Sequence, residues 1–78
     1  MEHILDIEYC KKILKATLCI NNIYDDYFFN TIIDDNSIIF YNTFFYISFY
    51  KNYIFFFDLF KEYFEIYIIK DNIIYVYK

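Results

Sequence analysis

Few side chains in this chain could do chemistry. The candidates are two adjacent acidic pairs, Asp25-Asp26 and Asp34-Asp35, two cysteines, Cys10 and Cys19, and a single histidine, His3. Paired carboxylates suit a hard cation, which needs six or more oxygens converging at about 2.3–2.6 Å. Between the pairs lies YFFNTII, Tyr27 to Ile33, which reads as a strand. Seven residues at about 3.3 Å each would hold the pairs roughly 20 Å apart. Each pair alone offers too few ligands, so no metal is expected. The acids are expected to be solvated loop ends that deter edge pairing, or an acidic patch facing a partner.

A cysteine nucleophile would need a histidine within hydrogen-bond reach. On a helix running through both, His3 and Cys10 would share a face yet lie about 10 Å apart along the axis. Cys10 is instead expected to be a small buried hydrophobe. Nine helical residues separate Cys10 from Cys19 by about 13 Å of rise. A disulfide needs Cα atoms within about 7 Å, so no bridge is expected. The chain has neither glycine nor arginine, which removes glycine-rich phosphate loops and bidentate anion clamps. No catalysis and no cofactor are expected.

The elements that must position these residues are written in an aromatic alphabet. Phe, Tyr and Ile supply 38 of 78 residues, a dense apolar supply for a chain whose size allows one small domain, residues 1–78. Ile, Phe, Tyr, Asn and Lys together make 52 residues, while Gly, Pro, Arg and Trp are absent. AT-rich coding accounts for that skew without any function, and it suggests a phage, another mobile element or an AT-rich genome. The tyrosine excess alone is therefore no sign of base stacking. Net charge is −4, opposite to the basic patch that phosphate contacts require. Direct nucleic-acid binding is disfavoured, and a basic protein surface is the more natural partner. Met1 to Leu5 lacks the basic flank and apolar run of a signal peptide, and with reduced thiols this suggests the cytoplasm.

SIIFYNTFFYISFYKNYIFFF, Ser37 to Phe57, is long enough for a membrane helix. Its contents argue otherwise, because Phe45, Ile47 and Phe49 alternate with Tyr46, Ser48 and Tyr50 at the two-residue period of a strand. Lys51-Asn52 then sits between two aromatic runs as a hairpin turn, with Asn able to adopt the left-handed backbone. Ile38, Phe40, Phe45, Ile47, Phe49, Ile54 and Phe56 fall on one face. Tyr46, Tyr50 and Tyr53 fall on the other with Ser48 and Phe55.

Upstream, Asp6 caps a helix whose apolar face carries Ile7, Cys10, Leu14, Thr17 and Leu18. Glu8 precedes Lys12 by four, the favourable ion-pair order, and Asn21-Asn22 closes the helix. Downstream, YFFNTII ends at the turn Asp34-Asp35-Asn36, SIIFY (37–41) follows, and Asn42-Thr43 reverses into FFYISFY (44–50). In the last hairpin, a three-residue loop Lys70-Asp71-Asn72 pairs Ile69 with Ile73 and Tyr67 with Tyr75. That register puts Ile66, Ile68, Ile74 and Val76 on one face and Glu65, Tyr67, Tyr75 and Tyr77 on the other. Residues 57–64 read as a helical turn capped by Asp58.

The expected fold is α+β, an N-terminal helix packed on one face of an antiparallel meander of five or six strands. The expected function is a small acidic protein-binding module, an antagonist that covers a basic or nucleic-acid-binding surface. The partner-facing residues would be Asp25, Asp26, Asp34, Asp35, Tyr46, Tyr50, Tyr53, Tyr67, Tyr75 and Tyr77. Two alternatives are a homodimer joined by the aromatic sheet face and a membrane-associated peptide using residues 37–57.

Overall fold

A computed structural model describes residues 6–78. His3 lies outside them. Helix α1 spans Ile7–Ile20, and six strands follow: β1 Asn30–Ile33, β2 Ser37–Tyr41, β3 Phe45–Tyr50, β4 Tyr53–Asp58, β5 Tyr63–Lys70 and β6 Ile73–Val76. The strands form one antiparallel sheet in chain order. The α+β meander read from the sequence is the observed fold.

Local chemistry sets both helix ends. Asp6 accepts a hydrogen bond from the Glu8 amide at 3.0 Å, which satisfies one of the free donors of the first turn. Asn22, at φ 62°, turns the chain out of the helix. Cys10, Leu14, Thr17 and Leu18 are buried against the sheet, as their spacing predicts. The Thr17 hydroxyl donates to the Ile13 carbonyl at 2.8 Å, so its burial leaves no unmet polar atom. The Glu8 carboxylate pairs with Lys11 at 3.8 Å, one position earlier than the expected Lys12.

The helix and the segment after it cover one sheet face, where Ile38, Phe40, Phe45, Ile47, Phe49, Ile54 and Phe56 form the core. Ile38, Ile47, Ile54 and Phe56 are almost completely removed from solvent, and each such side chain contributes about 1.5–3 kcal/mol. Residues 37–57 are therefore strands β2, β3 and most of β4. No helix among the described residues is long and apolar enough to cross a membrane.

Four local expectations are corrected. The strand expected from Tyr27 starts only at Asn30, because Tyr27 and Phe29 turn their rings onto Phe45 at 5.2 and 6.3 Å. The strand expected from Phe44 starts at Phe45, because the Asn42 side chain accepts from the Phe44 and Phe45 amides at 2.7 and 2.8 Å and holds Phe44 in the turn. Residues 57–64 are not a helix: β4 runs to Asp58 and pairs it with Tyr63. The capping role of Asp58 survives, since its Oδ1 accepts from the Lys61 amide at 3.0 Å, and Glu62 at φ 54° returns the chain into β5.

The fourth correction changes a face. The last hairpin turns on two residues, Asp71 and Asn72, both at positive φ, and pairs Lys70 with Ile73, Ile69 with Ile74, Ile68 with Tyr75 and Tyr67 with Val76. Two consecutive left-handed residues make the turn whose twist suits a two-residue hairpin, and Asp and Asn tolerate that conformation best after glycine. Tyr67 therefore faces the helix and is only 3% exposed. Its hydroxyl accepts from Asn21 Nδ2 at 3.0 Å, tying the helix C-terminus to β5. Ile66 and Ile68 move to the face of Tyr75 and Tyr77, while Ile74 and Val76 stay on the helix side.

Candidate binding surface

Among the described residues no element lies over the face opposite α1. Directly paired residues share a face, so the registers assemble its rows. One row is Asn30, Tyr41, Tyr46, Phe57 and Phe64. The central row is Ile32, Ile39, Ser48, Phe55 and Ile66, extended by Tyr77, whose amide donates to the Ile66 carbonyl at 2.8 Å. The third is Ser37, Tyr50, Tyr53, Ile68 and Tyr75. Lys70 and Ile73 finish the margin. Among the described residues no aspartate or glutamate falls on this face; its cations are Lys70 at the margin and Lys51, whose ammonium lies 5.4 Å from the Tyr50 ring.

Rings on the face pack on one another. The Phe57 and Phe64 centroids are 4.3 Å apart, those of Tyr46 and Phe57 are 6.2 Å apart, and those of Tyr53 and Tyr77 are 5.4 Å apart at 87°. Such pairs hold their rings in fixed orientations. Tyr46, Tyr50, Phe57, Phe64, Tyr75 and Tyr77 remain exposed. Five tyrosines expected at a partner surface, 46, 50, 53, 75 and 77, thus share one face, and Tyr67 does not. Phe57, Phe64, Ile39 and Ile66 belong to the face but were not expected there. The period-two pattern of β4 could have placed Phe57; Phe64 required the length of the β4–β5 loop.

The acidic pairs are not brought together. Asp25 and Asp26 are exposed in the α1–β1 connection, and Asp34 and Asp35 are exposed in the β1–β2 turn. Strand β1 intervenes, so the pairs belong to opposite ends of the sheet. Asp34 Oδ1 accepts from the Asp35 amide at 2.8 Å, a turn-stabilising bond. Among the described residues no group of three or more His, Cys, Asp or Glu could hold a metal.

Burial pushes the Cys10 thiol up to about 11, with the Asp6 carboxylate adding to the effect. That is the reverse of what a nucleophilic thiol requires. Tyr67 is also pushed up, by burial first, while the hydrogen bond from Asn21 works against it and the Glu65 charge adds to it. Tyr63 donates to Glu65 Oε1 at 2.7 Å, and chiefly that bond raises its hydroxyl to about 12.

Comparison with known proteins returns no match: no family model fits the chain, and no curated protein or solved structure is detectably similar to it.

Proposed function

We propose that this protein is a non-catalytic protein-binding module whose contact surface is the open face of the sheet. One observation carries the reading: in a chain of net charge −4, none of the acids among the described residues falls on a face built of Tyr, Phe and Ile. Interface centres are depleted of charge and enriched in aromatics, with a polar rim around them. Acids also gather in the loops beyond both ends of the sheet, Asp25, Asp26 and Glu62 at one end and Asp34, Asp35 and Asp71 at the other. The matching partner surface is apolar at its centre and basic at its margin, and the module acts as an antagonist by covering it. Direct nucleic-acid binding is disfavoured, because a stacking surface needs a basic surround and only Lys51 and Lys70 stand at this face among the described residues.

Affinity capture with three baits tests this: wild type, Tyr46→Asp/Phe64→Asp, and Asp25, Asp26, Asp34 and Asp35 all changed to Asn. A partner held by wild type, lost by the first variant and held more weakly by the second is the expected result. Equal capture by the first variant, with its circular dichroism unchanged, overturns the proposal.

The same absence of charge favours a second reading, association of two copies through this face, since two molecules of charge −4 would meet there without opposed like charges. Light scattering separates the two: a dimeric wild type with a monomeric Tyr46→Asp/Phe64→Asp variant assigns the face to self-association.

A further inference from the structure

At the end of the sheet where the 42–44 and 59–62 loops emerge, a cavity of about 400 Å³ opens beneath the α1–β1 connection. That volume is in the range of small-ligand clefts. Its walls are aromatic: Tyr24 and Tyr27 from the connection, Phe44 from the β2–β3 loop and Phe60 from the β4–β5 loop. The Tyr27 and Phe44 rings stand 5.6 Å apart at 57°, two inclined walls. Tyr24 and Phe60, 73% and 83% exposed, stand at the rim although both are large apolar side chains.

The charged members are Asp25, Asp58 and Lys61, two carboxylates against one ammonium. Asp58 is 7% exposed and is the buried carboxylate among the described residues. Its Oδ1 accepts from the Lys61 amide. Its Oδ2 has no partner among the described residues and is not sealed from solvent, and Asp58 is part of the cavity lining. The one ion pair among the described residues is Glu8–Lys11, so Lys61 does not neutralise Asp58 directly. A mostly buried carboxylate with one oxygen open to the surface is a ready counter-charge for a cation that enters the cavity.

We infer that this cavity binds an alkylammonium group, either a lysine side chain of a protein, methylated or not, or a free small amine. Aromatic faces attract organic cations through the ring quadrupole, most strongly where water is partly excluded, and Asp58 supplies the counter-charge at the floor. A hard metal ion is disfavoured, because two carboxylates and the Asn22 amide fall short of its oxygen requirement. The cavity is separate from the open sheet face, so this inference goes beyond the protein-binding reading and stands or falls without it.

Amide chemical shifts of the full chain, titrated with tetramethylammonium chloride against sodium chloride at equal ionic strength, test it. Saturable shifts confined to residues 22–27, 44–45 and 58–61 are expected. Neopentyl alcohol, similar in shape and uncharged, is expected to produce none. Phe60→Ala, at an exposed position, is expected to weaken binding about threefold. Asp58→Asn keeps the loop-capping oxygen but removes the charge, and is expected to weaken it further. Lys61→Gln removes the competing ammonium and is expected to tighten it. A lysine-containing peptide that binds more tightly than ethylamine identifies a protein as the source, and equal affinity identifies a free amine. Absence of saturable shifts, equal response to the neutral analogue, or unchanged affinity in both Phe60→Ala and Asp58→Asn overturns the inference.

Discussion

Cys10 and Cys19 have the same chemistry and opposite environments. Cys10 is 3% exposed on the core face of α1, whereas Cys19 faces solvent nine residues on. Thiolate fraction and access both govern alkylation, and both protect Cys10. Iodoacetamide in mild alkali is expected to modify Cys19 quickly and Cys10 only through unfolding, with at least a hundredfold separation in rate, read by mass spectrometry of peptides; similar rates would show that the helix does not cover the core as described. The burial of Cys10 was legible from helical spacing alone. The environment of Asp58 was not: its capping oxygen could be read locally, but its burial depends on Phe45, its partner across β3 and β4.

The hairpins show where a chain without glycine accepts strain. Lys51 adopts φ 53°, while its neighbour Asn52, the residue better suited to that conformation, does not. A left-handed L-residue costs about 1–2 kcal/mol, and glycine removes this at about 0.5–1 kcal/mol of chain entropy. Lys51→Gly is therefore expected to stabilise the protein by about 0.5 kcal/mol in urea titration, even after loss of the Lys51 ammonium from the Tyr50 ring, 5.4 Å away. Asn52→Gly is expected to destabilise it, because only the entropy cost remains; the opposite ranking would place the left-handed residue at Asn52. The turn itself was readable as Lys51-Asn52, but which of the two carries the positive φ depends on the twist of the paired strands.

Over the whole molecule, the helix-side core buries two groups whose ionised forms the fold rejects. Cys10, raised from about 9 to about 11, and Tyr67, raised above its ordinary value, both stay protonated in the native state. An unfolded chain releases those protons at lower pH, so stability is complete below about pH 9 and falls as pH rises through the raised values. Cys10 alone accounts for a loss of about 2–3 kcal/mol across that window. Urea midpoints at about pH 8 and about pH 10.5 are expected to show the fall, and Cys10→Val is expected to flatten it. A pH-independent midpoint for wild type would contradict this.

The helix limits, the parity of β2, β3 and most of β4, and the positions of the reversals other than the one at 59–62 were set by the sequence by itself, because side-chain period and turn chemistry act over a few residues. That was enough to place Ile47, Ile54 and Phe56 in the core and Tyr46, Tyr50 and Tyr53 opposite them. The register of β5 against β6 was decided only in three dimensions. Two- and three-residue loops at 70–72 are both locally acceptable, and the burial of Tyr67 beside Asn21 distinguishes them. Tertiary structure alone also left the open sheet face without acids or a cover among the described residues. It alone drew Tyr24, Tyr27, Phe44, Asp58 and Phe60 together, since an up-and-down meander gathers alternate loops at one end however far apart they lie in the chain.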